Sequence, residues 1–168
     1  PLYSSAAADV YKRQALDCLL TWRDAWLVAH TEKLHALLEP AKFRDTLAQL
    51  DLSASSEQWG SARPLTMQVI LRLLYGMLVS RRGLRTSGAG QGARRTAILA
   101  ALFECAPDEL GLLADLMLTS FADRLPEPRK QLGFLGLLGD VLEHLGKPLA
   151  PSMPRFVHVV IAIAASAE

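Results

Sequence analysis

The 168-residue chain is 51% hydrophobic and 21% charged, with 18 Lys and Arg against 17 Asp and Glu. A domain of this length hides roughly 70% of the surface its unfolded chain exposes, so it needs neither disulfide nor metal, and the composition excludes disorder of the whole chain. The longest uninterrupted apolar runs, residues 97–103 and 159–165, fall far short of the ~20 residues that cross a bilayer, which excludes a membrane-spanning helix.

Charge is distributed unevenly. Residues 58–103 carry seven arginines (Arg63, Arg72, Arg81, Arg82, Arg85, Arg94, Arg95) and no acidic group, whereas the flanking segments carry net charges of −2 and −4. The middle of the chain is therefore a basic island, an electrostatic argument for an anionic partner. The two cysteines, Cys18 and Cys105, stand 87 positions apart, with no CxxC pair, so neither a disulfide framework nor a zinc knuckle is indicated and a reducing compartment fits. Both lie among apolar helical residues and read as core thiols.

The chain begins with Pro1 and shows no secretory leader, and it reads as a piece of a longer polypeptide. Residues 1–14, PLYSSAAADVYKRQ, lack a helical apolar stripe and are read as a non-native or disordered leader, leaving residues 15–168 as the folding unit. Residues 15–38 read as one helix, with Asp17, Thr21 and Asp24 on its polar side and Leu16, Leu19, Leu20, Trp22, Trp26 and Leu27 buried. Pro40 interrupts, and Phe43, Leu47 and Leu50 mark a shorter second helix before a Ser-rich loop at residues 53–61. Pro64 opens a third helix whose narrow polar stripe (Gln68, Arg72, Gly76, Ser80) demands cover on several sides. The run at residues 81–93, with four glycines, reads as a mobile basic loop. A helix over about 93–105 follows, with Ile98, Leu99, Leu102 and Phe103 as its apolar residues. Pro107 restarts the chain, with Asp108 and Glu109 at the positive end of the next helix dipole. Leu132, Leu135, Leu138, Val141, Leu142 and Leu145 form the stripe of a helix over 129–145, in which Gly133, Gly136 and Gly139 would allow a neighbour to approach closely. Pro148, Pro151 and Pro154 introduce a final apolar helix over 155–165. No strand is needed.

Three prolines at helix starts, Pro64, Pro107 and Pro151, are spaced by 43 and 44 residues, with a pair of helices in each completed interval. A period of ~40–47 residues built of helix pairs is the signature of a HEAT/armadillo-like helical-repeat solenoid, so the fold class is all-α, in antiparallel helix pairs.

Catalytic constellations are weak by comparison. Gly88, Gly90 and Ala93 fit G-x-G-x-x-A, but no buried strand precedes them, and the phosphate-loop Lys and Ser/Thr are replaced by Ala89 and Gly90. His30 and His35 are five apart, about 140° around a helix, and cannot share a metal as an i, i+4 pair can. No G-x-S-x-G nucleophile elbow occurs. The chain is read as a non-enzyme with no cofactor, no metal and no small-molecule substrate. The feature with a chemical direction is the arginine cluster Arg81, Arg82, Arg85, Arg94 and Arg95, the candidate contact for nucleic acid or an acidic partner. Guanidinium groups make bidentate phosphate contacts, and no aromatic within residues 81–95 could stack on bases. Solvation of an ordinary loop is the plain alternative.

LRLLYGMLVSRRG at residues 71–83, RRTAILAALFECAPDELGLLADLM at 94–117 and RKQLGFLGLLGDVLEHLG at 129–146 together resemble the U-three small nucleolar RNA-associated protein twenty family, also called down-regulated in metastasis. The resemblance spans roughly residues 64–165 and is most specific at Tyr75-Gly76, Arg94-Arg95 and residues 109–115. It implies a non-catalytic nucleolar scaffold of the small-subunit processome, supporting maturation of small-subunit ribosomal RNA. Other processome proteins and pre-ribosomal RNA would be its partners. The alternative reading from the residues is a cytosolic helical adaptor that binds amphipathic partner helices.

Overall fold

A computed structural model of the chain describes residues 3–79, 88–122 and 124–166, with the side chains of 3–9 and 88–91 left aside. The described residues form nine α-helices and three single turns of 3-10 helix, with no strand. The first is α1, Tyr3–Leu20, followed by α2, Ala25–Ala29, and α3, Thr31–Leu38. Three helices therefore occupy the region where apolar spacing suggests a leader and one continuous helix. Residues 3–14 enter α1, consistent with the high helix propensity of Ala6, Ala7 and Ala8. The break after Leu20 is local. Arg23 takes a left-handed conformation at φ 52°, and Asp24 then caps α2, its carboxylate accepting from the N–H groups of Trp26 and Leu27 at 3.0 and 3.1 Å. Apolar periodicity persists through such a break because residues on both sides still face the same core. Trp22, at the break, is 78% exposed rather than buried.

Beyond Pro40 comes α4, Phe43–Gln49. The segment after it is anchored rather than loose. Leu50, Leu52 and Trp59 are buried, the Trp59 indole N–H donates to the Asp51 carbonyl at 2.7 Å, and the Ala54 N–H donates to the Glu104 carbonyl at 2.8 Å. Gly60, at φ 46°, sits where a side chain would be strained and begins a 3-10 turn, Gly60–Ala62. It leads directly into α5, Arg63–Leu78, with Pro64 in the first turn.

After α5 the structure resumes at α6, Gly88–Phe103. The helix starts five residues before the expected end of the basic loop, so residues 88–93 are helical. The glycines lower helix propensity without forbidding it. α7, Pro107–Leu118, begins at Pro107 as the sequence indicates, and a 3-10 turn, Thr119–Phe121, ends it. α8, Pro128–Leu145, and α9, Met153–Ala165, complete the order.

One hydrophobic core runs through all nine helices, with Leu34, Ile70, Leu71, Leu74, Leu99, Leu102, Leu110, Leu113, Val141 and Leu145 excluded from solvent. Neighbours in space are often next-but-one in sequence. α5 packs on α7, α6 packs on both α4 and α8, and α1 packs on α3, while α3 and α4 form a hairpin. Some expected core positions are outside it. Leu132 is 70% exposed. A Cβ added at Gly136 or Gly139 would meet nothing within 4 Å, so these glycines are not sites of close helix approach. Cys105 is buried as expected, but Cys18 is exposed, because the α1 face that carries it points away from α3.

Candidate nucleic-acid interface

Any α-helix ends with carbonyl groups that lack intrahelical donors and with a partial negative charge. At the C-terminal end of α5 two cations answer them. Lys12 Nζ, from α1, donates to the Gly76 carbonyl at 3.1 Å, and Arg95 Nη2, from α6, donates to the Leu78 carbonyl at 3.2 Å. Arg95 also pairs through Nη1 with the Asp140 carboxylate on α8. Its guanidinium thus joins α5, α6 and α8. Beside it, the Arg94 guanidinium lies 4.3 Å from the centre of the buried Phe43 ring on α4 and approaches Met77 Sδ at 3.4 Å. A desolvated cation over an aromatic face is worth about 2 kcal/mol. Burial, together with the adjacent Arg94 charge, holds the Lys12 ammonium below its usual pKa.

Of the five candidate contact residues, the structure therefore brings Arg94 and Arg95 together at the end of α5, half-buried and turned against protein. Arg81, Arg82 and Arg85 lie outside the described residues. Arg63, another member of the basic island, is also used internally. Its Nε and Nη2 donate to the two Glu109 carboxylate oxygens at 2.6 and 2.9 Å, and its remaining donors reach the carbonyls of Ser53 and Leu52 at 2.8 and 3.1 Å. Glu109 in turn accepts from the Ala106 N–H at 3.1 Å. This pair clamps the 51–60 segment and the start of α5 to the start of α7. Arg72 is exposed on α5 and donates back to the Gln68 carbonyl.

Other cations gather near Arg95. Arg129 and Lys130, exposed in the first turn of α8, share with it the lining of a cleft of about 590 Å³ between α5, α7 and α8. Tyr75, Phe121 and Phe134 supply its aromatic lining. Lys12, Arg129 and Lys130 lie outside the basic island of the sequence, Lys12 in the N-terminal fourteen residues and the other two in an acidic third of the chain. The Arg129-Lys130 pair beside Pro128 at a helix start is the signal that could have found them.

His30, His35 and His144 make separate local contacts. The His30 ring stacks on Trp26 with centroids 4.7 Å apart, and His35 Nε2 meets Asp17 at 3.2 Å. His144 Nδ1 lies 2.8 Å from the Asp140 carbonyl, which makes Nδ1 the protonated nitrogen. Among the described residues no three His, Cys, Asp or Glu side chains are grouped as metal ligands, and no helix is long and apolar enough to cross a membrane.

A family model described as U3 small nucleolar RNA-associated protein 20, N-terminal, matches residues 4–168. The chain belongs to this family. The match includes the part of α1 that precedes residue 15 and the whole of the basic island. A relative in Schizosaccharomyces pombe, named U3 small nucleolar RNA-associated protein 20, is 28% identical over 175 residues, covering 89% of this chain. The chain spans 7% of that relative's length. No solved structure matches.

Proposed function

We propose that this family member is a non-catalytic helical-repeat segment of a small-subunit processome component, which supports maturation of small-subunit ribosomal RNA in the nucleolus. The family match over residues 4–168 carries this reading. The next-but-one packing of α4, α6 and α8, and of α5 on α7, supports a HEAT/armadillo-like stack of helix pairs. In such a stack each unit buries its apolar face on its neighbours and leaves an extended outer surface for binding. The arginine-rich stretch, Arg81, Arg82, Arg85, Arg94 and Arg95, gives the segment a concentration of positive charge toward pre-ribosomal RNA. Arg94 and Arg95 are bonded within the protein, so exchange of Arg81, Arg82 and Arg85 tests contact without removing those bonds.

The experiment is fluorescence-anisotropy titration of the chain with structured ribosomal RNA at several salt concentrations, beside the Arg81→Gln, Arg82→Gln, Arg85→Gln variant. Binding should weaken steeply with salt, and the variant should bind less tightly with a shallower log–log slope, by about 2–3 for three lost phosphate contacts. No binding in a folded sample would refute RNA contact by this segment, and salt-insensitive binding would refute phosphate contact by its arginines. A second reading, as an adaptor for partner helices, draws on the open apolar groove between α4 and α6, lined by Leu47, Ala97, Ala100 and Ala101. Binding in that groove would be nearly indifferent to salt, and a tagged chain would then be found in the cytosol instead of the nucleolus.

A further inference from the structure

A helix with one apolar stripe needs one neighbour, and a helix with two needs cover on two sides. α8 has two. Phe134, Leu138, Val141 and Leu145, spaced by 4, 3 and 4, are buried in the core. Leu132, Leu135, Gly139 and Leu142, spaced by 3, 4 and 3, form a second stripe about 100° around the helix. Leu132 is exposed, Leu135 and Leu142 are half-buried, and nothing lies within 4 Å of the place where Gly139 would carry a Cβ. α9 repeats the pattern. Its Phe156 and Ile163 are buried, while Val157, Ile161 and Ala164 form an exposed second stripe. Both second stripes lack a charged or polar side chain. The neighbours already in place lie on other sides. α6 meets α8 through the Arg95–Asp140 pair, and α7 meets α9 through Asp115 and Arg155 at 2.7 Å. On helical spacing Asp140 and Arg155 stand about 120° and about 150° from the centres of the open stripes.

We propose that these two stripes are the seat of a further helix pair of the same polypeptide, one helix on α8 and one on α9, laid as α8 lies on α6. The inference rests on the helical-repeat reading above and adds to it the surface through which the stack continues. The outer face of a terminal repeat is polar because it stays in water, whereas this face is apolar on both helices. An apolar face of this kind suits polypeptide and not nucleic acid, since the stripes hold no cation for a phosphate. Length agrees with a partner in the same chain. The segment spans 7% of the Schizosaccharomyces pombe relative, and the intervals of 43 and 44 residues between Pro64, Pro107 and Pro151 make α9 the first helix of a unit, whose second helix would lie on the open stripe of α8.

The test places a cysteine at either stripe, as Leu132→Cys or Ile161→Cys, in the 168-residue chain and in the polypeptide read from the complete gene. Maleimide modification of each position is followed by mass spectrometry of its peptide. Two positions on two helices keep the experiment open if circular dichroism shows that one variant does not fold. Both should react freely in the 168-residue chain. In the longer polypeptide, purified alone, both should react at least about a hundred-fold more slowly, as groups that wait for local opening, and at the free rate in denaturant. Equal rates in the two proteins would overturn the seat and leave the processome reading standing. Protection of the shorter chain that fades on dilution would assign the face to a second copy, and protection of the longer polypeptide only inside an assembled particle would assign it to another protein, each against the proposal. Failure of the longer polypeptide to co-sediment with small-subunit ribosomal precursors would instead refute the reading on which the seat rests.

Discussion

Arg63 and Glu109 show how a residue that looks like surface charge in the sequence becomes a structural bond. Their side chains are each 16% exposed, and each is satisfied by backbone groups as well as by the other. Removing one partner strands the other charge in a desolvated site, which costs about 3 kcal/mol. Glu109→Gln should therefore lower the melting temperature by roughly 6–12 °C, read by circular dichroism. Arg63→Met should do at least as much, since it also abandons the Ser53 and Leu52 carbonyls. Cys105 lies beside this pair. Burial, with the Glu109 carboxylate adding to it, pushes its thiol up to about 12. Between the ordinary thiol pKa of about 9 and about 12 the unfolded chain loses a proton that the folded chain keeps, so alkali favours unfolding. The contribution is intact below about pH 9 and is lost toward pH 12, with a slope of at most about 1.4 kcal/mol per pH unit. At neutral pH an alkylating reagent should modify the exposed Cys18 readily and Cys105 only on unfolding, which mass spectrometry distinguishes.

The helices themselves carry two opposite kinds of irregularity. Arg23, left-handed between α1 and α2, holds a conformation that costs a non-glycine residue about 1–2 kcal/mol. Part of that cost is offset by the extra unfolded-state freedom of glycine, so Arg23→Gly should raise stability by about 0.5–1 kcal/mol in urea denaturation. Asp24→Ala should lower it by about 1 kcal/mol through loss of the α2 cap. In α8 the glycines at 136 and 139 face open space and weaken the helix without serving close packing. Each exchange for alanine should add about 1 kcal/mol. A loss of stability at either position would show that something packs closely on this face of α8 and has no room for a Cβ. Periodicity reveals a helix at α8 but not which of its faces has a neighbour, and for that reason Leu132 was expected inside and stands outside.

On the scale of the whole molecule, charge and packing are coupled at one place, the C-terminal end of α5. Lys12, Arg94 and Arg95 come from two helices remote in sequence and meet there with Asp140. Arg95→Gln should thus destabilise the fold as well as lower its positive potential, so its effect on RNA binding must be judged beside a melting curve. Phe43→Ala should cost about 3–5 kcal/mol, the cost of a large core cavity, with loss of the Arg94 contact included. If Arg94→Leu costs less in the Phe43→Ala background than alone, the difference measures their coupling.

The sequence alone determined the helical class, the starts of α5 and α7, the stripes of Leu that fill the core and the family. These follow from local rules: proline at a first helical turn, apolar spacing near 3.6 residues, and residue strings that resemble relatives. The tertiary structure decided which arginines are spent inside. Arg63, Arg94 and Arg95 look alike in a charge count, yet each finds a carboxylate, an orphan carbonyl or an aromatic face tens of residues away. It also decided that residues 3–14 enter a helix, that Cys18 is outside while Cys105 is inside, and that Arg129 and Lys130 border an aromatic cleft. Such outcomes depend on contacts between distant segments. No window of neighbouring residues contains them, because a side chain's burial and partners are set by the elements that pack on it and not by its own stretch of chain.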